Sequence, residues 1–459
     1  MEKELIKDLK NLVGKDKIHS YIEDRFCYAY DATNNFFLPD VVVIPRSTED
    51  VVKVVKYASG KNIPVVSRGL GSGYTGGSVP IKGGIVISLE QMNRIVEINQ
   101  QKKYAVVESG VVASDFAEEV KAHGLFYPPD PTSLEYSTLG GNVAECAGGL
   151  RGRKYGTTKD YVLGLEFVTA EGNVIRTGIL SSEDDDLYDL ESMLIASEGT
   201  LGVITRIAFR LTPIPPYSET VLAGFEKMED AAQVVSDITA AGVVPSALEF
   251  IDGDTLECVM GYITVDFIQK SEAVLLIEPE GEKEEVQSDM KKILEICEKN
   301  NATSIKSAET KDEKEKLWQV RRSSSAALLR LAPTKVNEDV CVPPSQLPNL
   351  VKGLKEIGQK YNVTINTFGH AGDGNLHVNI MCDRNNPEEM ERVEKAVEKI
   401  FEVTLKLGGT LSGEHGIGIT KSKFLKDEVG ETGIQIMKKI KSAFDPQGIF
   451  NPGKIFPEN

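Results

Sequence analysis

The stretch "SRGLGSGYTGGSVP" (residues 67–80) decides the fold, because it follows a strand-like run and contains a G-x-G-x-x-G spacing from Gly71 to Gly76. In a dinucleotide-binding βαβ fold, this spacing leads directly into a helix whose first turn binds the pyrophosphate. An acidic residue about 20 positions further on binds the ribose in such folds, and this chain has Glu90 there. The residues after the loop show whether that interpretation applies.

A crossover helix does not fit between this loop and the next strand-like run at 85–89. The interval contains Pro80 and several glycines, all of which oppose a helix. The spacing is therefore accidental, and Glu90 loses its ribose role. Successive glycines can still direct backbone N–H groups at an anion without a helix. A plain glycine-rich turn is the alternative, and no Gly-Lys-Ser/Thr follows that would indicate a P-loop.

The composition is that of a globular protein with an acidic surface. The chain has 459 residues, enough for two or three domains, and its formal net charge of −17 argues against nucleic acid as a partner. The six cysteines form no C-x-x-C pair, so we expect reduced thiols and no iron–sulfur cluster, in a cytoplasmic protein. We also expect neither a signal peptide nor a transmembrane segment.

The first part of the chain predicts a short amphipathic helix at 3–13, followed by a strand–helix–strand unit. The β-branched run 41–44 is typical of a buried strand. Ser47 with Asp50 resembles a capping box that opens the helix, and Gly60 ends it. With the strand at 63–67, this unit predicts a parallel pair.

After "TPIPP" (212–216) the pattern changes to strand-like runs that alternate with helix-like stretches. This alternation predicts a sheet covered by helices. The strand-like runs are "SETVLAGF", "SALEFID", "AVLLIEP" and "KVNEDVCVP", and the helix-like stretches are 228–240, 283–299, 311–331 and 346–360.

Two further segments are rich in glycine and hydroxyl residues. One covers 130–172 and contains Gly140-Gly141-Asn142, and the other is "SEGTLGVITRIAFRLTPIPP" (197–216). Three such loops, each next to a strand, suit a long ligand, because small residues let the backbone approach it closely.

Together these segments resemble the PCMH-type FAD-binding domain of the vanillyl-alcohol-oxidase superfamily, and most closely the glycolate oxidase flavin subunit and D-lactate dehydrogenase group. The resemblance runs from about residue 36 to "FDPQGIFNPGKIF" (444–456). It implies an α+β fold, with this FAD-binding domain and a smaller α+β cap domain built on an antiparallel sheet. The implied divisions are an N-terminal helical segment (1–35), the FAD-binding domain (36–216), the substrate or cap domain (217–405) and a C-terminal segment (406–459) that returns to the FAD-binding domain and completes the active site.

The resemblance also implies which residues contact the cofactor. Residues 67–77 are expected to wrap the pyrophosphate, and 130–149 with 197–204 to line the rest of the FAD. Ser72 stands where covalent-flavin members carry a histidine, so the FAD is expected to be non-covalent. The expected contacts are Arg68, Gly69, Leu70, Gly71, Ser72, Gly73, Thr75, Gly76, Pro131, Thr132, Ser137, Thr138, Gly141, Asn142, Ala144, Gly148, Tyr155, Gly156, Glu198, Gly202, Val203 and Ile204.

Three of the five histidines lie in two compact motifs, "FGHAGDGNLHVNI" (368–380) and "SGEHGIGITK" (412–421). A turn can bring His370 beside His377, and Glu414 adds a carboxylate next to His415. Such a set of nitrogen and oxygen ligands suits Zn²⁺, Mn²⁺ or Fe²⁺. The alternative is that these histidines only satisfy buried hydrogen bonds.

The resemblance implies more definite roles. It places a divalent metal on His370, His377 and Glu414, and it makes His415 the general base. Arg321 and Lys335 match residues that bind the substrate carboxylate, although the residues alone leave Arg322 as an alternative to Arg321.

The function expected from the resemblance is FAD- and metal-dependent oxidation of a D-2-hydroxy acid, with D-lactate first and glycolate or D-2-hydroxyglutarate as alternatives. Electrons are expected to pass to a protein partner, either an electron-transferring flavoprotein or an iron–sulfur subunit, and a homodimer is compatible with the sequence. Two other functions stay open: an aldonolactone- or alcohol-oxidising enzyme with the same FAD domain, and a flavin subunit that only relays electrons.

Overall fold

The computed structural model describes residues 2–181, 189–261, 263 and 271–456. Its α-helices are α1 (Glu2–Val13), α2 (Ile22–Phe26), α3 (Thr48–Lys61), α4 (Ala113–Ala122), α5 (Leu139–Glu145), α6 (Gly152–Tyr155), α7 (Glu191–Leu194), α8 (Met228–Ala240), α9 (Gly253–Met260), α10 (Lys283–Lys299), α11 (Lys311–Ala327), α12 (Leu347–Tyr361), α13 (Pro387–Lys406) and α14 (Leu425–Phe444). Its strands are β1 (Ile18–His19), β2 (Val41–Val43), β3 (Val65–Arg68), β4 (Ile85–Ser88), β5 (Ile95–Asn99), β6 (Tyr104–Glu108), β7 (Leu125–Phe126), β8 (Val162–Val168), β9 (Val174–Arg176), β10 (Val203–Arg210), β11 (Thr212–Pro213), β12 (Tyr217–Ser218), β13 (Val221–Phe225), β14 (Ala247–Asp252), β15 (Ala273–Glu278), β16 (Glu280–Gly281), β17 (Ala302–Ser307), β18 (Thr334–Cys341), β19 (Thr364–Gly369) and β20 (Asn375–Cys382).

The chain forms two compact units. The first unit contains Met1–Ala147, Thr157–Ile214 and Glu414–Asn459, and the second contains Gly148–Gly156 and Pro215–Gly413. Each unit combines helices with mostly antiparallel strands, which confirms the α+β class predicted from the sequence.

The first sheet of the first unit has the strand order β1-β2-β4-β3. The predicted parallel pairing of β2 with β3 is wrong, because β4 lies between them and both strands pair with it in parallel. Ser47 caps α3 as predicted, since its hydroxyl accepts a hydrogen bond from the backbone N–H of Asp50 at 3.3 Å. The helix continues past Gly60 to Lys61, because Asn62 supplies the left-handed residue (φ 58°) that ends it.

The second sheet of this unit is antiparallel, with the order β5-β6-β10-β8-β9. The loop between β3 and β4 contains no helix, as predicted. The interpretation of Gly140-Gly141-Asn142 as a loop is wrong, because these residues lie in α5. Thr138 caps that helix by accepting a hydrogen bond from the backbone N–H of Gly141 at 3.3 Å, which stabilises its first turn despite the two glycines.

The second unit is built on a seven-stranded antiparallel sheet with the order β17-β13-β15-β14-β19-β20-β18. Helices α8 and α10 have the predicted bounds, α12 is shifted by one residue at each end, and α11 ends at Ala327 rather than at 331. Buried residues of α11, among them Trp318, pack with Ile251 and Leu276 on one face of the sheet. The part of the same face that lies on β18, β19 and β20 carries polar residues, among them Asp339, His377 and Asn379.

Candidate functional site

In the first unit, the backbone of the loop after β3 requires glycine at two positions. Gly71 has a φ of +73°, and a Cβ atom there would lie 2.1 Å from Nη2 of Arg68. A Cβ atom on Gly69 would lie 2.2 Å from Oγ1 of Thr138, the residue that caps α5. Glycine at these two positions therefore lets the loop backbone pass close to Arg68 and Thr138, which a larger residue would prevent.

A positive charge lies beside this loop. Arg68 is 6% exposed, its guanidinium is 5.8 Å from the centre of the Tyr28 ring, and Nη1 donates to Oγ of Ser78 at 3.3 Å. Burial lowers the pKa of Arg68, and Asp31 opposes that shift. Glu90, the residue that a dinucleotide-binding fold would use, accepts a hydrogen bond from the Tyr28 hydroxyl at 2.9 Å.

Buried polar atoms near α5 fit a polar ligand. Oγ of Ser137 and Nδ2 of Asn142 are buried and make no hydrogen bond to any described residue. Because such atoms are costly to bury unpaired, a bound group with hydrogen-bonding capacity would stabilise them. Both residues belong to the set predicted to contact FAD, so this region fits that cofactor.

The C-terminal segment of the first unit is attached to the same loop. The carboxylate of Glu198 accepts hydrogen bonds from the backbone N–H groups of Ile417 and Gly418, both at 2.7 Å. Oγ1 of Thr75 donates to the carbonyl of His415 at 3.0 Å, and the His415 ring stacks on Tyr74 with centroids 4.9 Å apart. His415 is thus held beside the loop that was predicted to bind the pyrophosphate.

A buried group of charges in this unit was missed by the sequence analysis. Nζ of Lys454 donates to the Gly77 carbonyl at 2.6 Å, and burial lowers the pKa of Lys454 to about 7. Burial, with the nearby charge of Glu198, raises the pKa of Glu145 well above its usual value. The available signal was Lys454 in "FNPGKIF", a lone lysine between glycine and apolar residues.

In the second unit, strand register places polar side chains on one face of the sheet. The His370 and His377 rings are nearly perpendicular, with centroids 5.3 Å apart, so the turn between them brings them together as predicted. Nδ1 of His377 lies 3.8 Å from Oδ1 of Asp339. Two rows of paired residues cross β18, β20 and β19, namely Asp339–His377–Phe368 and Asn337–Asn379–Asn366.

Glu249 on β14 connects two of the predicted site residues. Its carboxylate accepts a hydrogen bond from Nε of Arg321 at 2.5 Å, and Nδ1 of His370 lies 2.9 and 3.1 Å from its two oxygens. Burial raises the pKa of Glu249, but its interactions with His370 and Arg321 outweigh that effect and hold the pKa below its ordinary value. The sequence offered no local signal for Glu249, because it is one acid in the otherwise apolar run "SALEFID".

The structure separates Arg321 from Arg322. Arg321 is 1% exposed, its guanidinium lies 4.9 Å from the centre of the Phe368 ring, and its buried Nη2 makes no hydrogen bond to any described residue. Arg322 is exposed and forms an ion pair with Glu315. Of these two arginines, only Arg321 extends from α11 to the sheet, where it contacts Glu249 and Phe368.

Lys335, on β18, is the second cation of this unit that was predicted to bind substrate. Its Nζ donates to Oγ of Ser325, at 2.5 Å. Burial lowers the pKa of Lys335 to about 8, so its charge changes within an accessible pH range.

The predicted site residues divide between the two units. Arg321, Lys335, His370 and His377 lie in the second unit, and so do three of the predicted FAD contacts, Gly148, Tyr155 and Gly156. The other predicted FAD contacts, together with Glu414 and His415, lie in the first unit. The division between the units falls between Gly413 and Glu414, within the second histidine motif.

Among the described residues, no helix combines the length and the apolar character that crossing a membrane would require.

Comparison with protein families identifies both parts of the chain. Residues 39–178 match the FAD binding domain family, and residues 214–455 match the family of FAD linked oxidases, C-terminal domain. These matches confirm FAD as the predicted cofactor and the predicted FAD-binding fold.

Curated relatives cover nearly the whole chain. Glycolate oxidase subunit GlcD of Bacillus subtilis is 44% identical over 458 residues, which is 100% of this chain and 97% of the relative. Its namesake in Escherichia coli K12 is 35% identical, over 91% of this chain and 84% of the relative. D-lactate dehydrogenase of Anaerostipes hadrus is 32% identical, over 98% of this chain and 97% of the relative.

Solved structures show the same fold at low sequence identity. The structure of p-cresol methylhydroxylase with substrate bound matches with a TM-score of 0.81 and 18% identity, over 99% of this chain and 96% of that chain. The 4-ethylphenol oxidase of Gulosibacter chungangensis matches with a TM-score of 0.79 and 20% identity, over 99% and 97%. The chain therefore belongs to the FAD-linked oxidases, an oxidoreductase family that it shares with relatives named for oxidising the hydroxy acids glycolate and D-lactate.

Proposed function

We propose that this chain oxidises a small D-2-hydroxy acid to the 2-oxo acid, with D-lactate as the first candidate and glycolate or D-2-hydroxyglutarate as the others. Relatives named glycolate oxidase subunit and D-lactate dehydrogenase support the substrate class. Both names refer to a short carboxylate with a hydroxyl on the neighbouring carbon. The site must therefore bind an anion and remove a hydroxyl proton.

The observation that carries this proposal is Arg321. A guanidinium that is 1% exposed and leaves Nη2 without a hydrogen bond to any described residue is ready to bind an anion. Its Nε is already engaged by Glu249, so the Nη groups are the ones that would contact a substrate carboxylate. Lys335 would add a second positive charge below a pH of about 8.

His415 would accept the hydroxyl proton. An imidazole suits this role because its ordinary pKa lies near neutral pH. The stacking on Tyr74 and the hydrogen bond from Thr75 to the His415 carbonyl restrict its movement, which favours one orientation for proton transfer.

A divalent metal would be held by His370, His377 and Glu414. The donor set of two imidazoles and one carboxylate suits Zn²⁺, Mn²⁺ or Fe²⁺. Nδ1 of His370 faces Glu249 and Nδ1 of His377 lies near Asp339, and metal-binding histidines commonly have a carboxylate at the ring nitrogen that does not bind the metal. A metal there would lower the pKa of a substrate hydroxyl.

The bound FAD supplies the acceptor for the hydride that leaves the substrate carbon. We infer that the FAD is non-covalent, since Ser72 replaces the attachment histidine, and precipitation with acid should release all of the flavin. Relatives named as subunits support a protein electron acceptor, either an electron-transferring flavoprotein or an iron–sulfur subunit. All six cysteines are free, which supports a reducing, cytoplasmic compartment.

The test is anaerobic reduction of the flavin in the purified holoenzyme. D-lactate, L-lactate, glycolate and D-2-hydroxyglutarate are added separately, with and without a chelator, and the flavin absorbance is followed. We expect one D-acid or glycolate to bleach the flavin band and the chelator to prevent it. If no acid bleaches the band after metal is restored, the proposal fails and a flavin subunit that only relays electrons is favoured.

His415→Ala tests the assignment of the base. We expect FAD content to stay the same and flavin reduction to slow by about 10²–10⁴-fold, the usual contribution of a general base. The matched control is His123→Ala, which removes an exposed histidine of the same unit that lies near Glu119. Equal rates in the two variants would remove His415 from the mechanism.

A further inference from the structure

Glu249 lies in an unusual place for a carboxylate. It is fully buried in a central strand of the seven-stranded sheet, directly opposite Leu276 on β15. Isolated burial of a carboxylate is strongly unfavourable, so its two hydrogen-bonding contacts must offset the lost hydration. Those contacts are Arg321, on α11, and His370, at the end of β19.

The two contacts restrict both the tautomer of His370 and the orientation of Arg321. When Nδ1 of His370 donates its proton to Glu249, the lone pair of the neutral ring is on Nε2. When Nε of Arg321 donates to the same carboxylate, the side chain is fixed at that edge and its Nη2 remains for another partner. One carboxylate thus sets the tautomer of a histidine and the orientation of an arginine.

We propose that Glu249 is a positioning residue for the reaction, which holds His370 in its Nδ1-protonated tautomer and orients Arg321 for binding of the substrate carboxylate. The inference rests on the proposed function, because that function assigns a metal to His370 and the substrate carboxylate to Arg321. Glu249 itself touches neither substrate nor cofactor. Loss of its charge should therefore weaken anion binding and remove the acceptor that fixes the His370 tautomer, without removing FAD.

Glu278 provides a matched control on the neighbouring strand. It lies on the same face of the sheet as Glu249, is 2% exposed, and also contacts α11, where it accepts a hydrogen bond from Nε1 of Trp318 at 2.9 Å and pairs with Lys314 at 3.0 Å. It contacts neither Arg321 nor His370 through any bond that the described residues show. Replacing either acid by glutamine removes one buried negative charge and nearly no volume.

The experiment compares the wild-type holoenzyme with Glu249→Gln and Glu278→Gln. Oxalate serves as the anion probe because it is a small carboxylate with no hydride to give, and its Kd is read from the change in flavin absorbance. The ¹⁵N resonances of the five histidines are recorded after chelator treatment, and His370→Gln identifies the signal of His370. Melting temperature and FAD content are measured for all forms.

We expect both glutamine variants to lose similar melting temperature and to keep FAD. Only Glu249→Gln should raise the Kd for oxalate, by about tenfold or more, because Arg321 loses the charge-assisted hydrogen bond that orients it. The wild-type His370 signal should be that of the Nδ1-protonated tautomer. Equal oxalate affinity in the two variants would overturn the proposal and leave Glu249 with a structural role only.

The tautomer of wild-type His370 decides the matter even if Glu249→Gln does not fold. A proton on Nε2 with a lone pair on Nδ1 would contradict the proposal, since Glu249 could not then accept a hydrogen bond from that ring. The proposed function fails separately, if no hydroxy acid reduces the wild-type flavin. Oxalate binding and the histidine signals do not depend on that outcome.

Discussion

The loop after β3 and the polar face of β18–β20 are both built for polar ligands, but by opposite means. In the loop, side chains are absent where they would interfere, so that the backbone at Gly69 and Gly71 passes close to Thr138 and Arg68. On the sheet face, charged side chains carry the chemistry, with Arg321 and His370 joined through Glu249. The first region depends on backbone conformation and the second on tertiary contacts.

This difference explains what each region tolerates. A positive φ is a property of one residue and its neighbours, so one added methyl group disturbs the loop directly. The contacts of Glu249 join positions 72 and 121 residues apart, so they depend on strand register and helix packing. We expect glycine substitutions to affect cofactor retention and side-chain substitutions to affect substrate binding.

The largest effect should come from Gly71→Ala. A left-handed alanine costs about 1–2 kcal/mol, and the displaced guanidinium of Arg68 loses a charge-assisted contact worth about 1.5–3 kcal/mol. The backbone cost lowers stability, whereas loss of the Arg68 contact should weaken FAD binding, about 10- to 100-fold. The measurement is the ratio of flavin to protein after dialysis.

Gly124→Ala is the control for Gly71→Ala. Gly124 has the same φ of +73°, but a Cβ atom there would have no neighbour within 4 Å. The two variants should therefore lose similar backbone stability, while only Gly71→Ala loses FAD. Full retention of FAD by Gly71→Ala would contradict the assignment of the loop to the cofactor.

A smaller effect is expected from the titration of Lys335. Burial lowers its pKa to about 8, so the side chain is charged below that pH and neutral above it. If it binds the substrate carboxylate, the Kd for oxalate should rise as the pH increases from 7 to 9.5, by about tenfold or more, because a charge-assisted hydrogen bond is lost. Lys335→Arg stays charged over this range and should show a flat profile near pH 8.

A flat profile for the wild-type enzyme would show that Lys335 does not bind the anion. Both proteins are measured with oxalate rather than a substrate, so that turnover does not enter the result, and the comparison with Lys335→Arg isolates the effect of Lys335.

Much of the fold could be predicted because the signals are local. The amphipathic pattern gave α8 and α10 their bounds, and the glycines with Pro80 excluded a helix after β3. The pairing of β2 and β3 with β4 between them was not predictable from the strand–helix–strand pattern, because that pattern does not reveal an inserted strand. Helix α5 was missed because two glycines usually oppose a helix, and here the Thr138 cap supports it.

In the candidate site too, local motifs could be predicted from the sequence, whereas contacts between distant residues could not. The histidine motifs could be found because His370 and His377 are separated by one glycine-rich turn, and the structure brings their rings together. The choice of Arg321 over Arg322 required the structure, since adjacent helical residues point in different directions and only packing shows which is buried. Glu249 was not predictable, because its role arises only from contacts that are distant in sequence.

The smallest effect is expected at Gly60, a glycine in an ordinary helical conformation that other residues can also adopt. Gly60 lies in α3, is exposed, and would meet no atom within 4 Å of an added Cβ. Gly60→Ala should therefore stabilise the protein by about 0.5–1 kcal/mol, because alanine loses less backbone freedom in a helix. We expect a slightly higher melting temperature with unchanged FAD content. A lower melting temperature would show that the end of α3 depends on Gly60, as the sequence pattern first indicated, and that the left-handed Asn62 alone does not end the helix.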